Sequence, residues 1–165
     1  MGTEREAAVW LQEAIHQADM ALQRGDEPYG AVIVGPDGQM IAAAGNEENT
    51  RCDPTAHAEI LAIRRAAKAL GGKSLKGCSV VCNYRPCPMC AAALLMTGIE
   101  GWYIGSCFDG PEALFRRTAD KVQAGGIRLL AAMDDDTCTE QVLQGRKILT
   151  EQNHNYQSGH KNGII

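Results

Sequence analysis

Apolar positions along the first 70 residues change their spacing, and each spacing predicts a different element. A helical period followed by a glycine predicts a helix over residues 4 to 24. Two short apolar runs then flank a Gly-Pro-Asp-Gly turn, which predicts two antiparallel strands within residues 30 to 45. After a polar loop, apolar positions return to helical spacing and end at a glycine pair, so a second helix is predicted over residues 56 to 70.

The rest of the chain alternates short apolar runs, typical of buried strands, with longer segments rich in helix formers. The predicted strands cover residues 78–83, 101–106 and 127–133, and the predicted helices cover residues 88–97, 111–126 and 137–153. Strands that alternate with helices after a hairpin indicate an α/β fold with three layers, α/β/α, around a mixed five-stranded sheet. We therefore expect one domain over residues 1–152 and a polar C-terminal tail over residues 153–165.

Composition indicates the number of domains and the cellular compartment of the protein. The chain has 165 residues, 45% of them apolar and 22% charged, which is typical of one soluble domain. No uncharged run is long enough to cross a bilayer, and the acidic, amphipathic N-terminus does not resemble a secretory signal. The seven cysteines are odd in number and scattered, which argues against a disulfide framework. We expect a cytoplasmic protein, because that compartment keeps thiols reduced.

The net charge of the chain indicates which class of partner it binds. The formal net charge is -4 at pH 7, whereas binding along a nucleic-acid backbone needs clustered Lys and Arg. We therefore expect a small molecule rather than a nucleic acid as partner, and no membrane.

Metal-binding side chains stand at two predicted helix starts, His57 with Glu59 and Cys87 with Cys90. Taken alone, the Cys87 and Cys90 pair is equally typical of a redox couple, of buried free thiols or of half a zinc site. The spacing puts both sulfurs on one side of a first helical turn, where the helix dipole favours thiolates. Two thiolates and the His57 imidazole make three zinc ligands and leave one position open for water, as in catalytic zinc sites.

Glu59 is the candidate proton carrier of this site. In the first turn of a helix its carboxylate can converge with His57 on a point beyond the helix end. A carboxylate at that place can take a proton from water and deliver it to a leaving amine, so Glu59 is predicted to be the general acid and base.

The segments HAE and PCPMC, about thirty positions apart, resemble the H-x-E and P-C-x-x-C signature of the zinc-dependent cytidine and deoxycytidylate deaminase superfamily. The resemblance implies the cytidine-deaminase-like fold, one zinc ion per chain, and a hydrolase that releases ammonia from the C–N bond of a cyclic amidine. Within the superfamily, DPTAHAEILAIRRA is similar to guanine deaminases and tRNA adenosine deaminases, and LLMTGIEGWYIG is similar to fungal cytosine deaminases. Guanine is the favoured substrate, cytosine and tRNA adenosine are alternatives, and the non-enzyme alternative is a structural zinc or thiol protein.

The same resemblance implies residues that contact the substrate. Asn46 aligns with an asparagine that hydrogen-bonds the base, and the backbone amide of Ala58 resembles one that meets a base carbonyl. Tyr29 is similar to an aromatic residue of guanine deaminases, and Tyr156 would reach the base if the tail closes over the site as a flap. One departure is Arg85, which stands before Pro-Cys where relatives usually have Glu or a small residue.

Two further expectations complete this picture. Relatives pair through helices on one face of the sheet, and the apolar AAALLM segment offers such a surface, so a homodimer is predicted. Cys78 and Cys82 are predicted to pack in the core, because their spacing in a strand places both sulfurs on one face.

Overall fold

The computed structural model describes the backbone of residues 4–106, 128–132 and 136–161, and the side chains of residues 7–106 and 136–153. Five strands lie in this part of the chain: β1 (Gly30–Val34), β2 (Met40–Gly45), β3 (Ser79–Tyr84), β4 (Gly101–Ser106) and β5 (Arg128–Ala132). They form one sheet in the order β2-β1-β3-β4-β5. The predicted mixed sheet is confirmed, because β1 pairs antiparallel with β2 and β3, while β3, β4 and β5 are parallel.

The helices of the described residues are α1 (Glu4–Gln23), α2 (Glu48–Arg51), α3 (Ala58–Leu70), α4 (Pro88–Thr97) and α5 (Asp136–Lys161). α1 and α5 pack on one face of the sheet, and α3 and α4 contact each other on the opposite face. Alternate residues of β1 therefore enter different cores, Val32 on the α1 side and Ile33 on the α3 side. This arrangement is the predicted three-layer α/β/α fold.

Two segments differ from the sequence-based expectation. The polar loop contains the single helical turn α2, and Cys52 ends that turn in the left-handed region with φ 51°. The last helix does not end at residue 153, because α5 continues without a break to Lys161. Residue 152 is therefore not a boundary in secondary structure, and the beginning of the predicted tail is helical. The predicted helix over residues 111–126 lies outside the described residues.

Gly30 sets how closely α1 approaches the sheet. A Cβ at this position would overlap the backbone carbonyl of Ala14 in α1, so only glycine lets the strand lie this close to the helix. The predicted buried thiols lie on the other face, where Cys78 and Cys82 are 2% and 1% exposed within the core.

We expect Gly30→Ala to lower the free energy of unfolding by on the order of 3 kcal/mol, because the backbone of α1 must move to accept the methyl group. Urea unfolding followed by circular dichroism measures this change. Gly72→Ala is the matched control, since no atom lies within 4 Å of a Cβ added there, and its effect should stay within about 0.5 kcal/mol. Equal effects of the two substitutions would contradict the close approach of α1.

Candidate active site

His57 and Cys87 stand at equivalent places, each as the residue that caps the N-terminus of a helix. His57 precedes α3 with φ -66° and ψ 151°, and Cys87 precedes α4 with φ -71° and ψ 169°. Pro88 occupies the first turn of α4, where a missing N–H removes no helical hydrogen bond. The positive ends of two helix dipoles therefore point to the same place and favour thiolates there.

The ligand atoms have the spacing that zinc requires. The Nδ1 atom of His57 lies 3.6 Å from Cys87 Sγ and 3.5 Å from Cys90 Sγ. All three ligand atoms lie within 4.8 Å of one another. Tetrahedral zinc, with bonds of about 2.3 Å to sulfur and about 2.0 Å to nitrogen, places such atoms about 3.6 Å apart. The donor set and its geometry therefore fit one zinc ion, and they are the only such cluster of three ligands among the described residues.

The protonation of this cluster is set by its own members. A hydrogen bond from Cys90 and the neighbouring His57 lower the pKa of the Cys87 thiol to about 4, against the effect of burial. The same hydrogen bond raises the pKa of the Cys90 thiol, because Cys90 donates its proton toward the Cys87 sulfur, and burial raises it further. Cys87 is therefore a thiolate at neutral pH, the form that binds metal.

Glu59 lies in the first turn of α3 and is only 6% exposed. Its Oε2 atom accepts a hydrogen bond from Cys90 Sγ at 3.4 Å. Burial raises the pKa of the Glu59 carboxyl above its ordinary value. A carboxyl group of this kind exchanges protons more readily near neutral pH than an exposed one, as a general acid and base must.

Glu48 supports His57 on the side away from the sulfurs. Its Oε1 atom lies 3.5 Å from His57 Nε2, while its Oε2 atom accepts a hydrogen bond of 2.6 Å from the Asn46 side-chain amide. Asn46 in turn accepts a hydrogen bond from the Glu48 backbone N–H at 3.0 Å. A carboxylate behind a ligating imidazole fixes the ring orientation and leaves Nδ1 free to bind a metal.

A cavity of about 310 Å³ opens over this cluster. Its walls are formed by Tyr29, His57, Glu59, Tyr84, Arg85, Cys87, Pro88 and Arg146. A second cavity, of about 460 Å³, adjoins it and shares Tyr29, His57 and Arg146. The rings of Tyr29 and Tyr84 lie 5.7 Å apart at their centroids, tilted by 33°, so the first cavity has aromatic walls suited to a flat ring.

The structure brings some predicted site residues to this cavity and not others. His57, Glu59, Cys87 and Tyr29 line it, and Cys90 lies directly behind. Asn46 and Ala58 are fully buried and are not among the lining residues; both polar atoms of the Asn46 amide engage Glu48. Ala58 begins α3, so its N–H has no acceptor within its own helix. Tyr156 lies within α5, but its side chain is outside the described part.

Three wall and support residues were not found from the sequence: Tyr84, Arg146 and Glu48. Arg146 lies on α5 and donates a hydrogen bond of 2.8 Å from Nε to the Tyr29 hydroxyl, across 117 positions of chain. No short motif marks such a contact. The position of Tyr84 could have been predicted, because it ends β3 just before the segment that contains Cys87 and Cys90, and so lies near the metal ligands.

The model of the cytidine and deoxycytidylate deaminase zinc-binding region matches residues 4–106. The chain belongs to this family. Its match includes the complete constellation of His57, Glu59, Cys87 and Cys90, and the family assignment confirms the predicted class of enzyme and the predicted zinc cofactor.

Two relatives within the family have different substrates in their names. The chain is 34% identical over 133 residues to the tRNA-specific adenosine deaminase of Aquifex aeolicus, a match covering 81% of this chain and 80% of the relative. It is 51% identical over 108 residues to the guanine deaminase of Bacillus subtilis, covering 64% of this chain and 69% of the relative. The solved structure of the Bacillus subtilis guanine deaminase matches with 34% identity and a TM-score of 0.58, over 73% of this chain and 70% of that one. The predicted superfamily and fold are thus confirmed, whereas guanine is not singled out.

Zinc should protect one cysteine of the site from alkylation. We expect iodoacetamide to modify Cys87 after chelation and to spare it once zinc is restored, because metal coordination occupies the reactive thiolate. Peptide mass mapping measures this. Exposed Cys52 is the control that reacts in both states, and buried Cys82, whose thiol pKa is raised by burial, should react in neither. Equal labelling of Cys87 in both states would argue against its role as a ligand.

Proposed function

We propose that this protein is a zinc-dependent hydrolytic deaminase that acts on a nucleobase or a closely related ring amine, with guanine as the favoured ring. The observation that carries the proposal is the convergence of His57, Cys87, Cys90 and Glu59 at the floor of a cavity with aromatic walls. His57, Cys87 and Cys90 hold the metal, and bound zinc supplies a Lewis acid that lowers the pKa of water. Glu59 accepts the proton of the attacking water and returns protons to the ring nitrogen and the departing ammonia.

The remaining walls orient the ring. Tyr29 and Tyr84 present aromatic surfaces on which a purine or pyrimidine can stack. The N–H of Ala58, at the start of α3, has no acceptor within its own helix and is proposed to donate to a carbonyl oxygen of the base, although Ala58 is buried and does not line the cavity. The Asn46 amide is hydrogen-bonded to Glu48 through both of its polar atoms. Asn46 is therefore proposed to act on the base indirectly, through this hydrogen-bonded pair.

Guanine is favoured because the chain is 51% identical to a guanine deaminase over 108 residues. Tyr29, the aromatic residue on which the guanine-deaminase resemblance rests, lines the cavity. The second candidate is adenosine in tRNA, favoured by the match to a tRNA-specific adenosine deaminase over 81% of this chain. The net charge of -4 weighs against it, because an anionic stem-loop needs basic contacts. Cytosine is the third candidate.

Ammonia release from zinc-loaded protein tests this proposal. The panel consists of guanine, cytosine, adenine, their nucleosides, and a tRNA anticodon stem-loop with adenosine at the wobble position. We expect the highest kcat/KM with a guanine-type ring. Preference for the stem-loop would move the assignment to the second candidate, and absence of turnover with every ring, in protein shown to hold zinc, would refute the enzyme assignment.

A structural zinc site is the alternative outside enzymology, and it requires a fourth protein ligand. Among the described residues the cluster offers three, His57, Cys87 and Cys90. X-ray absorption at the zinc edge separates the two cases, since we expect one imidazole, two sulfurs and one further oxygen. A shell of four protein ligands would support the structural alternative.

We further propose a homodimer that forms through α4. Met89 and Met96 stand about two turns apart on this helix and are 37% and 88% exposed, so they extend an apolar stripe to the surface. Light scattering at micromolar concentration should give twice the chain mass, and Met96→Glu should shift it toward the monomer. A monomeric mass of the unmodified protein would contradict this proposal.

The cytoplasm remains our proposed location. Six cysteines lie in the described part of the chain, and all six are free thiols, as a reducing compartment favours. Within the described residues, no helix combines the length and the apolar character that membrane crossing needs.

A further inference from the structure

Arg85 and Arg146 bring two guanidinium groups to the cavity that contains Glu59 and the zinc ligands. Both side chains are half-buried and line this cavity. Arg85 follows β3 directly, and Arg146 is contributed by α5. Two arginines thus line one cavity in a chain with a net charge of -4, together with the Glu59 carboxyl and the Cys87 thiolate.

The two guanidinium groups share one aromatic neighbour. The guanidinium carbon of Arg85 lies 5.7 Å from the Tyr84 ring centroid, and that of Arg146 lies 5.6 Å from the same centroid. Arg146 also donates a hydrogen bond of 2.8 Å to the Tyr29 hydroxyl. Cation–π contacts and this hydrogen bond hold both groups in place before any ligand binds.

The backbone behind these groups is also fixed. The Arg85 N–H donates to the Ser106 carbonyl at 3.0 Å, which ties its backbone to β4. The Asn83 amide donates a hydrogen bond of 2.9 Å to Gln141 on α5, and Gln141 donates one of 2.8 Å to the Ile15 carbonyl on α1. These bonds fix the part of α5 that carries Arg146 against the sheet and α1, so the arginine pair belongs to a rigid frame.

A pair of half-buried, pre-positioned guanidinium groups has a definite ligand chemistry. The planar fork of arginine matches the oxygens of a carboxylate or a phosphate and forms short, charge-assisted hydrogen bonds with them. Reduced contact with water strengthens this attraction relative to a surface site. Arg146 also neighbours Glu27, whose charge it partly balances, so Arg85 is the first residue to test.

We propose that Arg85 and Arg146 form an anion subsite of the candidate active site, so that the preferred substrate is an amino-substituted ring carrying a carboxylate or a phosphate. This inference rests on the proposed deaminase function and adds the substrate class to it. One cavity of about 310 Å³ includes both the arginines and the reacting groups, a size that fits a small molecule.

Matched substrate pairs test the subsite. One pair is guanosine and guanosine 5′-monophosphate, and the other is 2-amino-4-oxopteridine and its 6-carboxylate, so phosphate and carboxylate are examined separately. We expect the anionic member of at least one pair to have a kcat/KM at least about tenfold higher, as charge-assisted hydrogen bonds allow. Equal or better turnover of both neutral members would overturn the proposal, as would preference for a tRNA stem-loop over every small molecule.

Variants connect the preference to the arginines. Arg85→Gln should lower the anionic-to-neutral ratio of kcat/KM by about tenfold, and Arg85→Lys should restore part of it, because charge returns without the fork. Arg146→Gln should lower the same ratio. Arg64→Gln is the control, since Arg64 is exposed on α3 and does not line the cavity. Ratios unchanged in both cavity variants would overturn the assignment.

A binding measurement separates failure of the subsite from failure of the deaminase function. Titration calorimetry of zinc-loaded Glu59→Ala with inorganic phosphate and with the pteridine carboxylate measures the anion contact without turnover. We expect saturable binding that weakens about tenfold when Arg85→Gln is added. If the anions bind but the unmodified protein turns over no ring, the subsite stands and the deaminase function is refuted. If the unmodified protein deaminates a ring but the anions do not bind, the deaminase function stands and the subsite is refuted.

Discussion

Replacement of Glu59 by Gln should reduce kcat by about a thousandfold while the protein keeps its zinc. An amide has the size of the carboxylate but cannot take a proton from water, and positioned acid–base groups typically contribute between about a hundredfold and ten-thousandfold. Zinc should remain because the substitution leaves its three ligands unchanged. These are His57, Cys87 and Cys90, whose ligand atoms lie within 4.8 Å of one another. Steady-state ammonia release and zinc analysis on the same preparation measure both quantities.

The control for Glu59→Gln is Glu140→Gln, which removes an exposed carboxylate on α5 and should leave kcat within about twofold. Glu59→Ala should behave like Glu59→Gln in turnover, although it also leaves a small void in a buried wall. The assigned role of Glu59 would be wrong if either substitution retained near-normal turnover. Loss of zinc together with turnover would instead indicate that Glu59 supports the ligands.

The parts of the site that the sequence predicts are those determined within one helical turn. His57 and Cys87 are recognisable because each caps a helix, and Cys90 follows Cys87 at a spacing that the first turn of α4 brings together. Their mutual approach follows from the α/β pattern, since α3 and α4 pack on the same face of the sheet. Local chemistry and element order were therefore sufficient for the metal cluster and for the fold.

The parts that escaped prediction depend on packing between distant segments. Arg146 reaches Tyr29 only because α5 lies against β3 and β4, which no feature near residue 146 indicates. The length of α5 escapes prediction for a related reason: the polar residues after Asn153 are typical of a tail, whereas the helix continues to Lys161. Asn46 shows the opposite limit, because the resemblance assigns its side chain to the base, whereas that side chain is engaged by Glu48.

Cys90 and Cys82 offer a comparison that separates metal binding from core packing. Both thiols are buried, at 0% and 1% exposure, but only Cys90 lies within 3.5 Å of His57 Nδ1. Cys90→Ala should abolish zinc binding and turnover, because two remaining ligands do not hold zinc at a catalytic site. Cys82→Ala should lower the free energy of unfolding by about 1 kcal/mol and keep one zinc per chain.

Thermal unfolding with and without a chelator gives the decisive measurement for this pair. Zinc at about a hundred times its dissociation constant stabilises a folded protein by about 2.7 kcal/mol, provided it does not bind the unfolded chain. Chelation should therefore lower the Tm of the unmodified protein and of Cys82→Ala, but leave the Tm of Cys90→Ala unchanged. The ligand set would have to be reassigned if Cys90→Ala still lost stability on chelation, because zinc would then be held without the Cys90 sulfur.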